Sequence, residues 1–247
     1  MSARAPGPAY GQPASPRARL PQGPSNAREP PLRSFTVSSP RLDPALLARA
    51  ERSLARRDPV LRPVIRRVGV CGLRRRGSPY RYLVRAVLYQ QLAGAAARAI
   101  ERRFHEAFGG RTPPPAELAA ASPARLRALG LSRQKVAAVQ SIARAFLDGS
   151  VRPRQLPHLD DEEVIAQVTT IRGVGEWTAH MLLMFSLGRP DVLPVGDYGV
   201  RKAAQQLYEL DDLPKPVELE AIAEAWRPYR SVASWYLWRS TELVTLE

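Results

Sequence analysis

Two short segments of this chain carry residues whose types and spacing could do chemistry. One is Ile171-Arg172-Gly173-Val174-Gly175, set between two helical patterns; the other is Leu193-Pro194-Val195-Gly196-Asp197-Tyr198, which leads into a further helix. Glycines at 173 and 175 permit positive φ and the close approach of another backbone, and Val174 between them can point into a core. The amides of Val174 to Trp177 then stand free at a helix N-terminus, where partial positive charge favours a phosphate without any lysine. The same pattern serves any tight helix–turn–helix corner. Asp197, 22 residues beyond Gly175, is placed to N-cap the next helix, itself a routine structural role. That position also offers free amides and a helix dipole, which favour an anion. An ionised carboxylate beside a phosphate clamp suits hydrolysis of an N-glycosidic bond. The departing base leaves an oxocarbenium-like sugar, whose charge the carboxylate can stabilise while it orients the incoming water.

Helices must position these groups. Asp43-Pro44 reads as an N-cap followed by proline at the first helical position, opening a helix to about Arg57. Tyr80–Gln91 and Ala95–Phe108 read as a pair hinged near Gly94 and ended by Gly109-Gly110. A short helix opens at Ser122-Pro123 and closes at Gly130. Ser132 caps a longer one, whose Val136, Val139, Ala143 and Phe146 share a face, ended by Gly149. Further helices are expected at about Asp160–Thr169, Glu176–Leu187, Tyr198–Tyr208, Val217–Trp226 and Ser231–Leu243. Only Val68–Leu73 has any strand character. The expected class is all-α, with about ten helices and no internal repeat.

The composition narrows the partner. The 247 residues carry 37 Lys+Arg against 23 Asp+Glu, a net charge of +14, which favours a polyanion such as nucleic acid or an anionic membrane. Residues 1–159 hold 29 basic and 8 acidic groups, whereas 160–247 hold 8 and 15. Nine arginines and no carboxylate lie between Val60 and Ile100, a density that suits phosphates better than a merely solvated face. The longest apolar run, Thr178–Gly188, has 11 residues, too few to span a membrane, and no apolar signal segment follows Met1. The lone Cys71 excludes an intramolecular disulfide, a zinc site built on several cysteines and a four-cysteine iron–sulfur cluster; it reads as an inert buried thiol. His105, His158 and His180 lack the spacing of metal ligands. His180, one turn past Trp177, could still face a pocket. Trp226, Trp235 and Tyr236 read as core residues. Nine prolines in residues 1–40 predict a disordered tail, and they break the amphipathic helix of a transit peptide. The helical domain is then expected over 41–247.

The blocks IRGVGEWTA (171–179) and LPVGDYGVRK (193–202) resemble the helix-hairpin-helix glycosylase superfamily. Within it the chain is most similar to the DNA-3-methyladenine glycosylase II, or AlkA-like, branch. VLYQQLAGAAARAIERRF, LGLSRQKVAAVQSIARAF and WRPYRSVASWYLWRS extend the likeness, in order, from about Tyr80 to Glu242. The resemblance implies two helical subdomains with an active-site cleft between them and a hairpin at about 164–187. It implies Asp197 as the catalytic aspartate. Ile171, Gly173, Val174, Gly175 and Thr178 become the phosphate grip, with the carbonyls of Ile171 and Gly173 able to hold a monovalent cation. Trp177 stands where lyase relatives carry a Schiff-base lysine, so a monofunctional enzyme without an organic cofactor is expected.

Trp177, Trp238, Met181 and Tyr198 fall at base-pocket positions of that branch. An indole face attracts a cationic alkylated purine, which leaves readily without a general acid. A wedge filling the gap left by the flipped base is expected from Gln90, Gln91 or Leu92. The chain resembles compact members lacking a β-rich N-terminal domain. The implied partner is duplex DNA with alkylated bases, bound by a monomer in the cytoplasm, or the nucleus of a eukaryote. A glycosylase for another lesion and a non-catalytic DNA-structure binder remain alternatives. Deleting residues 1–40 should leave the helical domain folded, with an unchanged circular-dichroism melt; loss of cooperative melting would move the domain boundary.

Overall fold

In the computed structural model, which describes residues 42–92 and 94–244, proline and its capping partners open several of the helices. Asp43 accepts from the Leu46 amide at 2.7 Å and Pro44 occupies the first turn of α1 (Pro44–Arg57). Asp58 ends α1 and begins α2 (Leu61–Val68), accepting from the Val60 and Leu61 amides at 2.9 and 3.1 Å. Residues 69–78 then run without regular structure to α3 (Pro79–Tyr89) and α4 (Gly94–Ala107). Next come α5 (Pro115–Ala120), α6 (Pro123–Ala128), α7 (Arg133–Leu147), α8 (Asp161–Thr169) and α9 (Glu176–Leu182). The last three are α10 (Tyr198–Leu207), α11 (Pro216–Ala223) and α12 (Arg230–Val244).

The described residues are therefore all-α, with twelve α-helices rather than about ten. The two unexpected ones, α2 and α5, are short and carry a proline near their starts; a helix whose proline falls in its first turn loses no intrahelical bond. Val68–Leu73 forms no strand, because nothing pairs with it. Val68 ends α2 and the rest is coil whose Cys71 and Leu73 sink into the core. Burial pushes the Cys71 thiol up to about 12, which keeps it protonated and unreactive. The helix expected over Glu176–Leu187 ends as α9 and gives way to a π-helical turn, Leu183–Leu187, in which the Gly188 and Arg189 amides both close on the Leu183 carbonyl. The proline-rich tail expected over 1–40 lies outside the described residues.

Two hydrophobic cores form among the described residues. The middle of the chain, α3 to α9, builds one around Leu83, Phe104, Val139 and Leu182. The two ends, α1–α2 and α10–α12, build the other around Leu54, Leu61, Trp226 and Tyr236. Phe185 and Trp238 pack against both, so they mark the seam of the two helical subdomains. The chain crosses that seam at 69–78 and again at 188–197. The second crossing is stapled to α12. Arg230 grips Asp191 in a two-pronged pair at 2.8 and 3.0 Å, and Ser231 Oγ accepts from the Val192 amide at 2.9 Å while donating to the Arg189 carbonyl at 2.7 Å.

Asp58 does more than cap a helix. Its Oδ2 accepts from Trp226 Nε1 at 2.7 Å and from the Tyr208 hydroxyl at 2.5 Å, tying α2 to α10 and the turn after α11. Burial, then the neighbouring Asp58 carboxylate, raises the Tyr208 hydroxyl far above its usual range, so it remains a donor. Asp58→Ala removes the cap and leaves two buried donors with poorer partners. It should cost about 2–4 kcal/mol, read from the midpoint of urea unfolding at unchanged slope.

Candidate active site

The hairpin is pressed onto α7. Gly173 has φ +87°, and a Cβ there would lie 2.4 Å from the Ala138 Cβ; both backbone and space exclude any other residue. Val174 is buried beside it and Ile171 is likewise in the core, its carbonyl accepting from the Val174 amide at 3.0 Å. Gly175 differs from expectation. It takes an ordinary extended φ of −96°, and a Cβ there would meet open space. No side-chain cap hydrogen-bonds the first turn of α9. Thr178 is buried.

Asp197 ends the stapled crossing and N-caps α10. Its Oδ1 accepts from the Val200 amide at 2.8 Å and from Trp238 Nε1 at 2.8 Å; its Oδ2 accepts from Trp177 Nε1 at 2.7 Å. Three donors from three elements converge on one carboxylate that is only 8% exposed. A carboxylate accepts at both oxygens and donates at neither, and that is the pattern around it. The two indoles fix its plane. Trp177 keeps much of its surface open to solvent, at 45% exposed, and Tyr198, next in the chain to Asp197, is more open still. Met181 is buried in the core of α3–α9.

Several residues of this site carried no separate signal in the sequence. Phe185, thrown onto the seam by the π turn, stacks on Trp238 at 5.9 Å between ring centroids and on Tyr82 at 6.4 Å, with the Arg76 guanidinium 6.0 Å from its centroid. Burial pushes the Tyr82 hydroxyl up to about 12, so it stays neutral and offers a ring face. Gly199 is the other. A Cβ at this position would stand 3.0 Å from Trp238 Cδ1 and 3.2 Å from Asp197 Oδ1, so the indole reaches the carboxylate only over a bare α-carbon. No periodicity reveals such a requirement.

The wedge candidates separate by environment. Gln90 is half-buried, whereas Gln91 and Leu92 are exposed. All nine arginines between Val60 and Ile100 are exposed as well. His180 lines a cavity of about 550 Å³ with Glu176, Glu220, Glu224, Arg227 and Arg230, which neither Asp197 nor either tryptophan borders. Burial lowers the His180 pKa below its ordinary value, with Glu176 opposing. Folding therefore favours neutral His180, so stability is whole above its unfolded pKa and falls as pH drops through the lowered folded pKa.

A helical fold of two subdomains, with a glycine-rich hairpin and a capping aspartate at their seam, defines a helix-hairpin-helix DNA repair protein. Residues 84–228 match the HhH-GPD superfamily of base excision DNA repair proteins, and the chain belongs to that family. It is 38% identical over 168 residues to DNA-3-methyladenine glycosylase 1 of Schizosaccharomyces pombe, covering 67% of this chain and 74% of that one. Its fold is similar to the solved structure of the S. pombe 3-methyladenine DNA glycosylase in complex with abasic DNA. That likeness has a TM-score of 0.72 at 34% identity, over 78% of this chain and 97% of the other. A DNA-3-methyladenine glycosidase from Bacillus halodurans gives 0.72 at 33%, over 80% and 91%. Among the described residues no helix is long and apolar enough to cross a membrane.

Gly199→Ala should displace Trp238 from Asp197 and slow single-turnover base release about 10- to 100-fold. Gly196→Ala, which meets open space, should release base at the unaltered rate. Equal rates for both variants would mean that the close approach at Gly199 has no bearing on chemistry.

Proposed function

We propose that the protein is a monofunctional DNA glycosylase that flips alkylated purines, of the 3-methyladenine and 7-methylguanine type, out of duplex DNA and hydrolyses their glycosidic bonds. The observation that carries this is the carboxylate of Asp197 held between two indole N–H groups at the seam of the subdomains. Oδ1, which accepts two bonds, anchors the group. Oδ2 accepts one and keeps lone-pair capacity to orient a water against the anomeric carbon. The negative charge opposes the positive charge that develops on the sugar as the base departs. The hydrogen bonds hold the indoles edge-on to the carboxylate, leaving ring faces for stacking; the Trp177 face, largely open, suits a cationic purine. Such a base departs neutral, so no proton donor is required of the protein.

The first amides of α9, with Ile171, Gly173, Val174, Gly175 and Thr178 shaping the turn, bind a phosphate beside the lesion, and the exposed arginines neutralise flanking phosphates. The hairpin carbonyls of Ile171 and Gly173 are candidates for a monovalent cation shared with that phosphate. Tyr198 stands at the mouth of the site. Met181 acts from behind it, by setting how deeply a base can enter. Trp177 supplies no amine, so the sugar forms no imine and the strand stays intact after the base is lost. The protein acts as a monomer, in the compartment that holds the chromosome.

The direct test is release of free base from methylated duplex DNA, comparing the natural protein with Asp197→Asn at matched DNA occupancy. The substituted side chain presents a neutral amide where a charge is needed, and release should fall at least about 100-fold while DNA affinity holds. Strands should remain intact until alkali is added. Tight binding with no release of any alkylated purine would overturn the reading and leave the hairpin as a binding device.

A further inference from the structure

Gln90, Gln91 and Leu92 stand one after another at the end of α3, yet the structure gives them different work. The backbone reverses at Gln91, which has φ +55°. Gln90, just before that residue, is tied down: its Nε2 donates to the Gly173 carbonyl at 3.0 Å. A carbonyl only accepts, so the amide nitrogen must be the atom facing it. Gly173 is the hairpin residue seated on Ala138 of α7. Lys135, one turn earlier on α7, closes the figure by donating from Nζ to the Leu88 carbonyl at 2.7 Å. Three elements thus hold one another at three points: the end of α3, the start of α7 and the hairpin. Between them lies a polar cavity of about 300 Å³, bordered by Gln90, Gln91, Lys135 and Gly173.

We propose that Gln90 is a positioning residue that ties the loop carrying Gln91 to the phosphate-gripping hairpin. Seating the hairpin on a phosphate then sets the register at which Gln91 enters the base stack. The inference rests on the reading of the chain as a base-flipping glycosylase. If Gln90 itself entered the stack, its bond to Gly173 would break; in the proposed arrangement it is kept throughout. One partly exposed amide–carbonyl bond shifts an equilibrium by about fivefold. That is too little to hold the fold together and enough to bias a short loop between two placements. The chemistry is specific: only a donor of glutamine's length serves, since the Gly173 carbonyl cannot donate in return.

The test uses the full chain and a duplex bearing a tetrahydrofuran abasic analogue opposite 2-aminopurine, whose fluorescence reports insertion into the stack whether or not any base is excised. Gln90→Met keeps length and bulk but cannot donate; Gln90→Glu is isosteric and sets oxygen against oxygen. Both should bind the duplex within about twofold of the natural protein and melt at the same temperature, yet slow the fluorescence change about five- to tenfold. In a Gln91→Ala background, Gln90→Met should add nothing, because there is then no side chain left to place. Multiplicative effects of the two substitutions, or insertion by Gln90→Met at the natural rate, would overturn the proposal. Normal insertion by the natural protein without release of free base from methylated DNA would instead count against the glycosylase reading and leave this inference standing.

Discussion

A carboxylate under tryptophan hydrogen bonds is the point on which this structure turns. Asp197 takes its three donors from α9, α10 and α12, so it can be held only if both subdomains are folded and docked. α9 belongs to the core built by the middle of the chain, while α10 and α12 belong to the core built by its two ends. Burying a charged group is unfavourable unless hydrogen bonds replace its water, and here replacement needs both halves. The fold therefore completes this carboxylate's shell of donors only where the two cores meet.

Much of the remaining architecture serves that requirement. The crossing at 188–197 would be a floppy connection on its own, but Arg230, Asp191 and Ser231 staple it to the start of α12. The same helix that secures the loop supplies Trp238 two turns further along. Geometry at one end of α12 and geometry at the carboxylate are thus parts of one rigid body. The π turn acts similarly from the other side, because widening the helix by one residue places Phe185 against both cores and under Trp238. Glycines mark where backbones must come close: Gly173 on Ala138, and Gly199 under the Trp238 ring.

Charge divides the surface by purpose. The arginines of α2, α3 and the segment between them are exposed, with no carboxylate interleaved, which suits a surface meant for a polyanion. The cavity lined by His180 mixes signs: Glu176 and Glu220 stand there with Asp191 and Glu224, which Arg230 and Arg227 pair.

The helical class, most helix starts and the family-bearing blocks at 171–179 and 193–202 were legible in the sequence. They depend on local rules: Asp43-Pro44 and Ser132 open helices, glycines at 130 and 149 close them, and Asp197 must cap α10 whatever surrounds it. Of the aromatic residues read as core, Trp226 and Tyr236 are fully buried and Trp235 is half-buried against the same core. What tertiary structure alone decided are the meetings of residues far apart in the chain. Trp177 and Trp238 lie 61 positions apart and clasp the same carboxylate. Gln90 reaches Gly173 across 83. Gly175 proved to take an ordinary extended φ with open space around it, whereas Gly199 is bare because an indole lies over it. Periodicity describes which face of a helix is apolar, but it carries no information on which two faces will touch. That is settled by packing two cores against one another, and so is the geometry on which the chemistry rests.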